Sequence, residues 1–249
     1  MRLHVLSDLH IEFGPYSAPV PECDVVVLAG DTHTKTRGPA WARAHFGDRV
    51  IIYVAGNHEY YGGALPREDD KLREACEEHG VHFLQMNELV LGDVRFLGAT
   101  LWTDYDLFGN KSLARFDAQR MMSDHKKIRV TPGYGKLRPA HLEATHWSHR
   151  RWLDKKLQEA WEGSTVVVTH HAPTNLTTMD RFRNARCNPA YASRLEEMIL
   201  DRNPDVWIHG HTHVAKAARI GETRIVSNAR GYVGQEHVEN FSPDLVIDV

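Results

Sequence analysis

Five short apolar runs in this chain each end at carboxylate, imidazole or carboxamide side chains, and that recurrence constrains the fold more than any other feature. Residues 50–55 stop at Gly56-Asn57-His58-Glu59, residues 3–6 give onto Asp8-Leu9-His10, and residues 25–29 give onto Gly30-Asp31. Residues 165–169 lead into His170-His171, and residues 206–208 into His209-Gly210-His211-Thr212-His213. Apolar, β-branched runs closed by glycine or polar residues predict buried strands stopping at turns. Open α/β sheets carry their chemistry just beyond such strand ends. A metal site assembled there is the leading expectation.

These blocks resemble those of the calcineurin-like metallophosphoesterases, D-x-H, G-D, G-N-H-[ED], a later H, and G-H-x-H. All five occur in the family's order between residues 8 and 213. The resemblance implies an α/β fold with a two-layered mixed β-sheet sandwich flanked by helices, in the layer order α/β/β/α. It also implies two divalent or trivalent metal ions. Asp8, His10, Asp31 and His213 would hold one, and Asn57, His170, His211 and Asp31 the other, with Asp31 bridging. A water or hydroxide between the ions would attack phosphorus. His58 would contact the phosphate without ligating, and would protonate or stabilise the leaving oxygen, a role open to imidazole near neutral pH. His171 stays an alternative to His170, and His209 lies outside the pattern as a strand or supporting histidine.

The residues themselves suit such a centre. Two metals roughly 3.5 to 4 Å apart orient a phosphoryl group and stabilise the charge of an in-line displacement. An extended chain at Asp8-Leu9-His10 would throw both ligands to one side, and His211-Thr212-His213 repeats the spacing. Gly30, Gly56 and Gly210 would permit tight backbone at the ligand-bearing turns. Imidazole and oxygen donors without thiolate suit manganese, Fe, Zn, Co or Ni alike, and the donor set does not choose among them.

Composition bounds the remaining classes. At 249 residues, with 42% hydrophobic and 25% charged residues, the chain can bury a sizeable core. A net charge of −3 gives no global pull toward nucleic acid or anionic membrane. Cys23, Cys76 and Cys187 form no C-x-x-C pair, which fits a reducing compartment. The N-terminus enters a strand pattern directly and the apolar runs are short, so a cytoplasmic protein without membrane association is expected.

Along the chain, a helix is expected at 65–79, then strands at 81–84, 88–91 and 94–97 that close a first layer. Residues 99–140 interleave Trp102, Tyr105, Phe108, Phe116 and Tyr134 with Lys111, Arg115, Arg120, Lys126, Lys127, Arg129, Lys136 and Arg138, without clean periodicity. Such a stretch suits a cap or substrate-binding insertion, and equally a groove for single-stranded nucleic acid. Helices are expected at 141–161 and from Asn188-Pro189 to about Asp201. Strands at 206–208, 217–220, 223–227 and 245–249 would complete a second layer. The chain is expected to form a single domain over 1–249.

Several chemistries are disfavoured. His58-Glu59 begins like H-E-x-x-H, but position 62 is Gly62, and no G-x-x-x-x-G-K-[ST] occurs. The protein Ser/Thr phosphatase branch of the family extends its second block to G-D-x-x-D-R-G, whereas here Gly30-Asp31 is followed by Thr32-His33-Thr34-Lys35-Thr36. Arg230 is a candidate phosphate contact, beside Asn57 and His58, with a surface turn the alternative reading of its position. Phosphomonoester or phosphodiester hydrolysis of a small-molecule ester is the expected activity. A nuclease of the same fold and a non-catalytic interaction module are the alternatives, and the oligomeric state is left open.

Overall fold

The computed structural model describes residues 1–17 and 19–249. The chain runs β1 (Arg2–Leu6), β2 (Val25–Ala29), α1 (Arg37–Phe46), β3 (Val50–Val54), β4 (Ala64–Leu65), α2 (Arg67–Glu78), β5 (His82–Phe83), β6 (Asn87–Leu91) and β7 (Val94–Ala99). It continues with α3 (Lys111–Met121), α4 (Asp124–Lys127), β8 (Arg129–Val130), β9 (Gly135–Lys136), α5 (Pro139–Gln158) and β10 (Ser164–Thr169). The last elements are α6 (Glu196–Arg202), β11 (Val206–His209), β12 (Ala215–Ile220), β13 (Thr223–Asn228) and β14 (Val246–Asp248).

Two mixed sheets form the centre. One has the order β14-β1-β2-β3-β5 and the other β12-β13-β11-β10-β7-β6. Their inner faces share one apolar layer in which Leu3, Val5, Val27 and Ile52 meet Phe96, Val166, Val168 and Ile208. A second cluster joins the outer face of the first sheet, through Leu28, Ile51 and Tyr53, to Phe46 of α1 and Leu72 of α2. A third joins Val167 and Trp207 of the other sheet to Leu153 of α5 and Ile199 of α6. Strands buried on both faces need apolar side chains in both directions, which is why β2, VVVLA, shows no alternation. The α/β/β/α sandwich is the observed architecture.

The layers differ from expectation in their membership. β6 and β7 belong to the second sheet, where β7 pairs parallel with β10. The C-terminal strand joins the first sheet, antiparallel to β1. Without it β1 would be an open edge with unpaired backbone groups. No long helix starts at Asn188, whose amide donates to Asn175 Oδ1 and to the carbonyl of Arg183 and so ties down the preceding loop. The helix begins only at Glu196, with Glu196 and Glu197 at its positive end.

Residues 99–140 are more ordered than their irregular pattern suggests. Asn110 caps α3 by accepting from Leu113 N, and β4, β8 and β9 form a small third sheet. Trp102, Tyr105, Ile128 and Leu137 are buried in the cluster beneath α1 and α2. The segment is thus fastened to the body by Trp102, Tyr105, Ile128 and Leu137, while Phe108, Phe116 and Tyr134 are exposed, and through β4 it reaches the turn that carries His58. Among the described residues, no helix is long and apolar enough to cross a membrane.

Candidate metal centre

The ligand-type residues converge at the ends of β1, β2, β3, β10 and β11. The backbone there is left-handed rather than extended: φ is 50° at Asp8, 45° at His10, 52° at Asp31, 67° at His211 and 48° at His213. Two-residue alternation along a strand therefore does not explain why Asp8 and His10 face the same centre. A left-handed non-glycine residue costs about 1–3 kcal/mol, and such strain concentrates at functional sites. It persists here because the backbone is pinned: Asp8 N donates to the Gly30 carbonyl, and His10 N to the Asp31 carbonyl.

Glu59 organises the next turn. Fully buried, it accepts from the backbone N–H groups of Asp31, Thr32 and Gly56 and from the Tyr53 hydroxyl at 2.6 Å. Burial pushes its pKa up to about 7. It is a clasp between the β2 and β3 ends. A Cβ on Gly56 would fall 2.1 Å from Asp31 Oδ1, and one on Gly30, whose φ is +89°, would fall 2.3 Å from His170 Nδ1. The glycines at these two positions are needed for the close approach of the ligand-type side chains.

Three groups of donors could each hold an ion: Asp8, His10 and His213; His10, Asp31 and His58; and Asp31, His170 and His211. Asp31 spans the centre. Its Oδ2 lies 3.6 Å from His10 Nε2, and its Oδ1 lies 3.5 Å from His170 Nε2. On one side His10 Nε2 and His213 Nε2 stand 3.1 Å apart, with Asp8 Oδ1 3.4 Å from His213 Nε2. On the other, Asn57 Oδ1 is 3.1 Å from His170 Nε2. His211 Nε2 is buried without a hydrogen-bond partner among the described residues.

The opposite ring nitrogens explain which way the histidines face. His10 Nδ1 meets Glu12 Oε1, His213 Nδ1 meets Glu236 Oε1, and His170 Nδ1 meets the Ala29 carbonyl at 2.9 Å. These oxygens can only accept, so each Nδ1 carries a proton and each Nε2 faces inward, as a free lone pair on His10 and His170, whose pKa burial lowers to about 4. Imidazoles held in this manner are the usual metal-binding form. His213 differs: burial acts to lower its pKa, but hydrogen bonds to Asp8 and Glu236 overcome it and hold the ring at about 9, so an ion bound there would displace its Nε2 proton. Burial, reinforced by Glu59 and Asp8, pushes the Asp31 carboxyl well above the ordinary range. Closely spaced buried carboxylates facing inward lone pairs make a centre that attracts cations.

His58 stands at the edge of this cluster. Its Nδ1 donates to Glu12 Oε1 at 2.6 Å, while its Nε2 is 3.2 Å from the Tyr232 hydroxyl and 3.9 Å from Asp31 Oδ2. His171 points elsewhere: its Nδ1 is buried and unpartnered among the described residues, and its ring packs on Trp102 and His211. His209 is engaged by Thr177 Oγ1 at 2.8 Å and by the Gly210 carbonyl.

Arg230 is not free to contact phosphate in the expected way. Its guanidinium donates to the carbonyls of Leu9, Gly14 and Pro15 and lies over the Tyr16 ring. It holds the 9–15 loop, and thereby Glu12. Sequence patterns also missed Glu12, Glu236 and Asp124. Asp124, from α4, accepts from Asn57 Nδ2 at 2.9 Å and from the Tyr61 hydroxyl at 2.8 Å. That contact turns Asn57 Oδ1 toward His170. No local spacing announces Asp124, which lies 67 residues from Asn57.

A strand-end cluster of this kind in a sandwich of two mixed sheets defines a metallophosphoesterase, and residues 1–215 of the chain match the calcineurin-like phosphoesterases, the family to which it belongs. It is 28% identical over 218 residues to uncharacterized protein L509 of Acanthamoeba polyphaga mimivirus, covering 80% of this chain and 73% of that protein. Among solved structures it is similar to the phosphopantetheinyl hydrolase PptH of Mycobacterium tuberculosis, with a TM-score of 0.73. That likeness spans 92% of this chain and 89% of the other at 19% identity, and it shows the fold alone.

Proposed function

We propose that this protein hydrolyses a small-molecule phosphate ester, as a monoesterase or diesterase, with two divalent or trivalent ions held at the Asp31 centre. The observation that carries this reading is Asp31 itself, whose two oxygens address different imidazoles, His10 at 3.6 Å and His170 at 3.5 Å. Asp8, His10 and His213 would hold one ion, and Asn57, His170 and His211 the other. Ions of this kind polarise phosphoryl oxygens and make water nucleophilic near neutral pH.

The chain's own groups supply the rest. Asp124 orients Asn57, Glu236 orients His213, and Glu12 orients both His10 and His58. With Nδ1 tied to Glu12, His58 presents Nε2 at the rim, where it can hydrogen-bond a phosphate oxygen or give a proton to the leaving oxygen. The Tyr232 hydroxyl, 3.2 Å from that nitrogen, supports its direction.

We take the substrate to be a small molecule, because a net charge of −3 gives no general attraction for a long polyanion. Of the cations in the 99–140 segment, Arg115 is paired with Glu143, and Lys111 with Asp106 at 3.4 Å. The test is hydrolysis of a chromogenic phosphomonoester beside its diester, using metal-stripped protein resupplied with Mn, Zn, Co, Ni or Fe. Turnover restored by metal supports the reading, and the faster ester sets the reaction type. Failure with every metal would remove it.

A further inference from the structure

Beside His58, the turn at Tyr61-Gly62 carries two lysines that the hydrolytic centre does not use. The Tyr61 ring lies 4.2 Å from the His58 ring, centroid to centroid, and Lys127 Nζ sits 4.5 Å from the Tyr61 ring centre. Lys127 is therefore one aromatic ring away from the phosphate contact. Gly62 N donates to the Lys127 carbonyl at 2.9 Å, which fixes the start of that side chain against the turn. Lys35 reaches the same place from the other side: a Cβ on Gly62 would meet its Cε at 3.3 Å and its Nζ at 3.4 Å. The Lys35 backbone is anchored by its N–H to the Glu59 carbonyl at 3.1 Å.

Both side chains are exposed. Neither ammonium has a carboxylate within 4.0 Å among the described residues. Asp124, which the Tyr61 hydroxyl reaches, is buried and already accepts from Asn57 and that hydroxyl. Two like charges held at one turn of a chain whose net charge is −3 do not assist folding. Two such ammonium groups suit an anion, since Lys binds phosphate as a point charge without demanding one geometry.

We infer that Lys35 and Lys127 form a second anion subsite, so that the substrate is a phosphate ester bearing another phosphate a few bonds from the scissile one. This rests on the hydrolase reading above. It narrows the substrate class from phosphoesters in general to bisphosphorylated small molecules such as nucleoside bisphosphates.

The test compares adenosine 3′,5′-bisphosphate with adenosine 3′-monophosphate and 5′-monophosphate on the metal-loaded protein. The readout is the ratio of kcat/KM for the bisphosphate to that for the better monophosphate, for the wild type and for Lys35→Ala/Lys127→Ala. The ratio is expected to exceed one in the wild type and to fall roughly tenfold in the double variant, as suits two exposed charge contacts. The preference should also weaken steeply as salt is raised. A ratio that is the same in both proteins, with hydrolysis intact, would overturn the subsite and leave the hydrolase reading standing. Should no metal support hydrolysis, calorimetric binding of adenosine 3′,5′-bisphosphate decides instead: affinity lost in the double variant supports the subsite, and affinity unchanged or absent in the wild type overturns it.

Discussion

Glu12 Oε1 lies 2.6 Å from Nδ1 of His58, and the same oxygen lies 3.3 Å from Nδ1 of His10. One carboxylate thus sets the direction of a ligand-type histidine and of the histidine beside it. Burial would raise its pKa, but hydrogen bonds from His10 and His58 hold it down at about 2, so it stays ionised across the working pH range. Replacement by Gln keeps the shape and removes the charge. Glu12→Gln is expected to lower kcat/KM about 10- to 100-fold, the usual effect of losing a partner that orients a metal-site histidine. A change within twofold at all pH values would contradict this role.

Asp124→Ala should act on the other side of the centre. Without its acceptor, Asn57 Nδ2 keeps only the Tyr61 hydroxyl at 3.0 Å, and Asn57 Oδ1 is no longer fixed toward His170. Affinity for one ion of the two is expected to fall about 10- to 100-fold. Competitive metal titration with a chelating dye should show one weakened site beside one little changed. Equal weakening of both, or of neither, would refute the positioning role.

The fold should also lose stability on mild acidification for a reason remote from the centre. His149 is buried on α5, its Nδ1 accepts from Leu101 N at 3.1 Å, and burial with the nearby His146 pulls its pKa down to about 3. A histidine whose folded pKa lies below its unfolded value near 6.5 stabilises fully above that value. The contribution is lost as pH falls from about 6.5 toward 3. Urea unfolding at pH 7 and pH 5 should show the wild type losing more stability than His149→Gln, which starts about 1–3 kcal/mol lower because a buried hydrogen bond is weakened. Parallel losses in both proteins would exclude His149 as a source.

Much of the centre was legible in the sequence because its parts sit at strand ends. An apolar run followed by Asp, Asn or His places candidate side chains at the sheet edge, and the resemblance to the metallophosphoesterases narrows them to Asp8, His10, Asp31, Asn57, His170, His211 and His213. The supporting residues were not legible. Glu12, Glu236 and Asp124 act across 46, 23 and 67 residues of chain, through contacts to His58, His213 and Asn57 respectively. Nothing in local periodicity encodes such distances. Arg230 shows the opposite failure: a guanidinium after a strand suggested a phosphate contact, but three carbonyls of the 9–15 loop engage it. The left-handed backbone at five ligand-type residues was equally hidden, since Asp and His tolerate that region without the glycine that usually marks it. The C-terminal strand was seen as a strand, yet its sheet was misassigned, because pairing with β1 depends on which edge is open.

The most direct measurement is metal content by mass spectrometry together with hydrolysis, on wild type and Asp31→Asn carried through stripping and resupply in parallel. Asn keeps the acceptor for His58 N, which now bonds Asp31 Oδ1 at 2.8 Å, so folding should be preserved and can be checked by circular dichroism. The wild type is predicted to take up two ions per chain and to hydrolyse phosphate esters only after resupply, while Asp31→Asn should bind fewer ions and lose at least 100-fold in rate, roughly the scale of removing one electrostatic element of a catalytic site. Undiminished hydrolysis by stripped protein, or by Asp31→Asn, would contradict a centre built on Asp31.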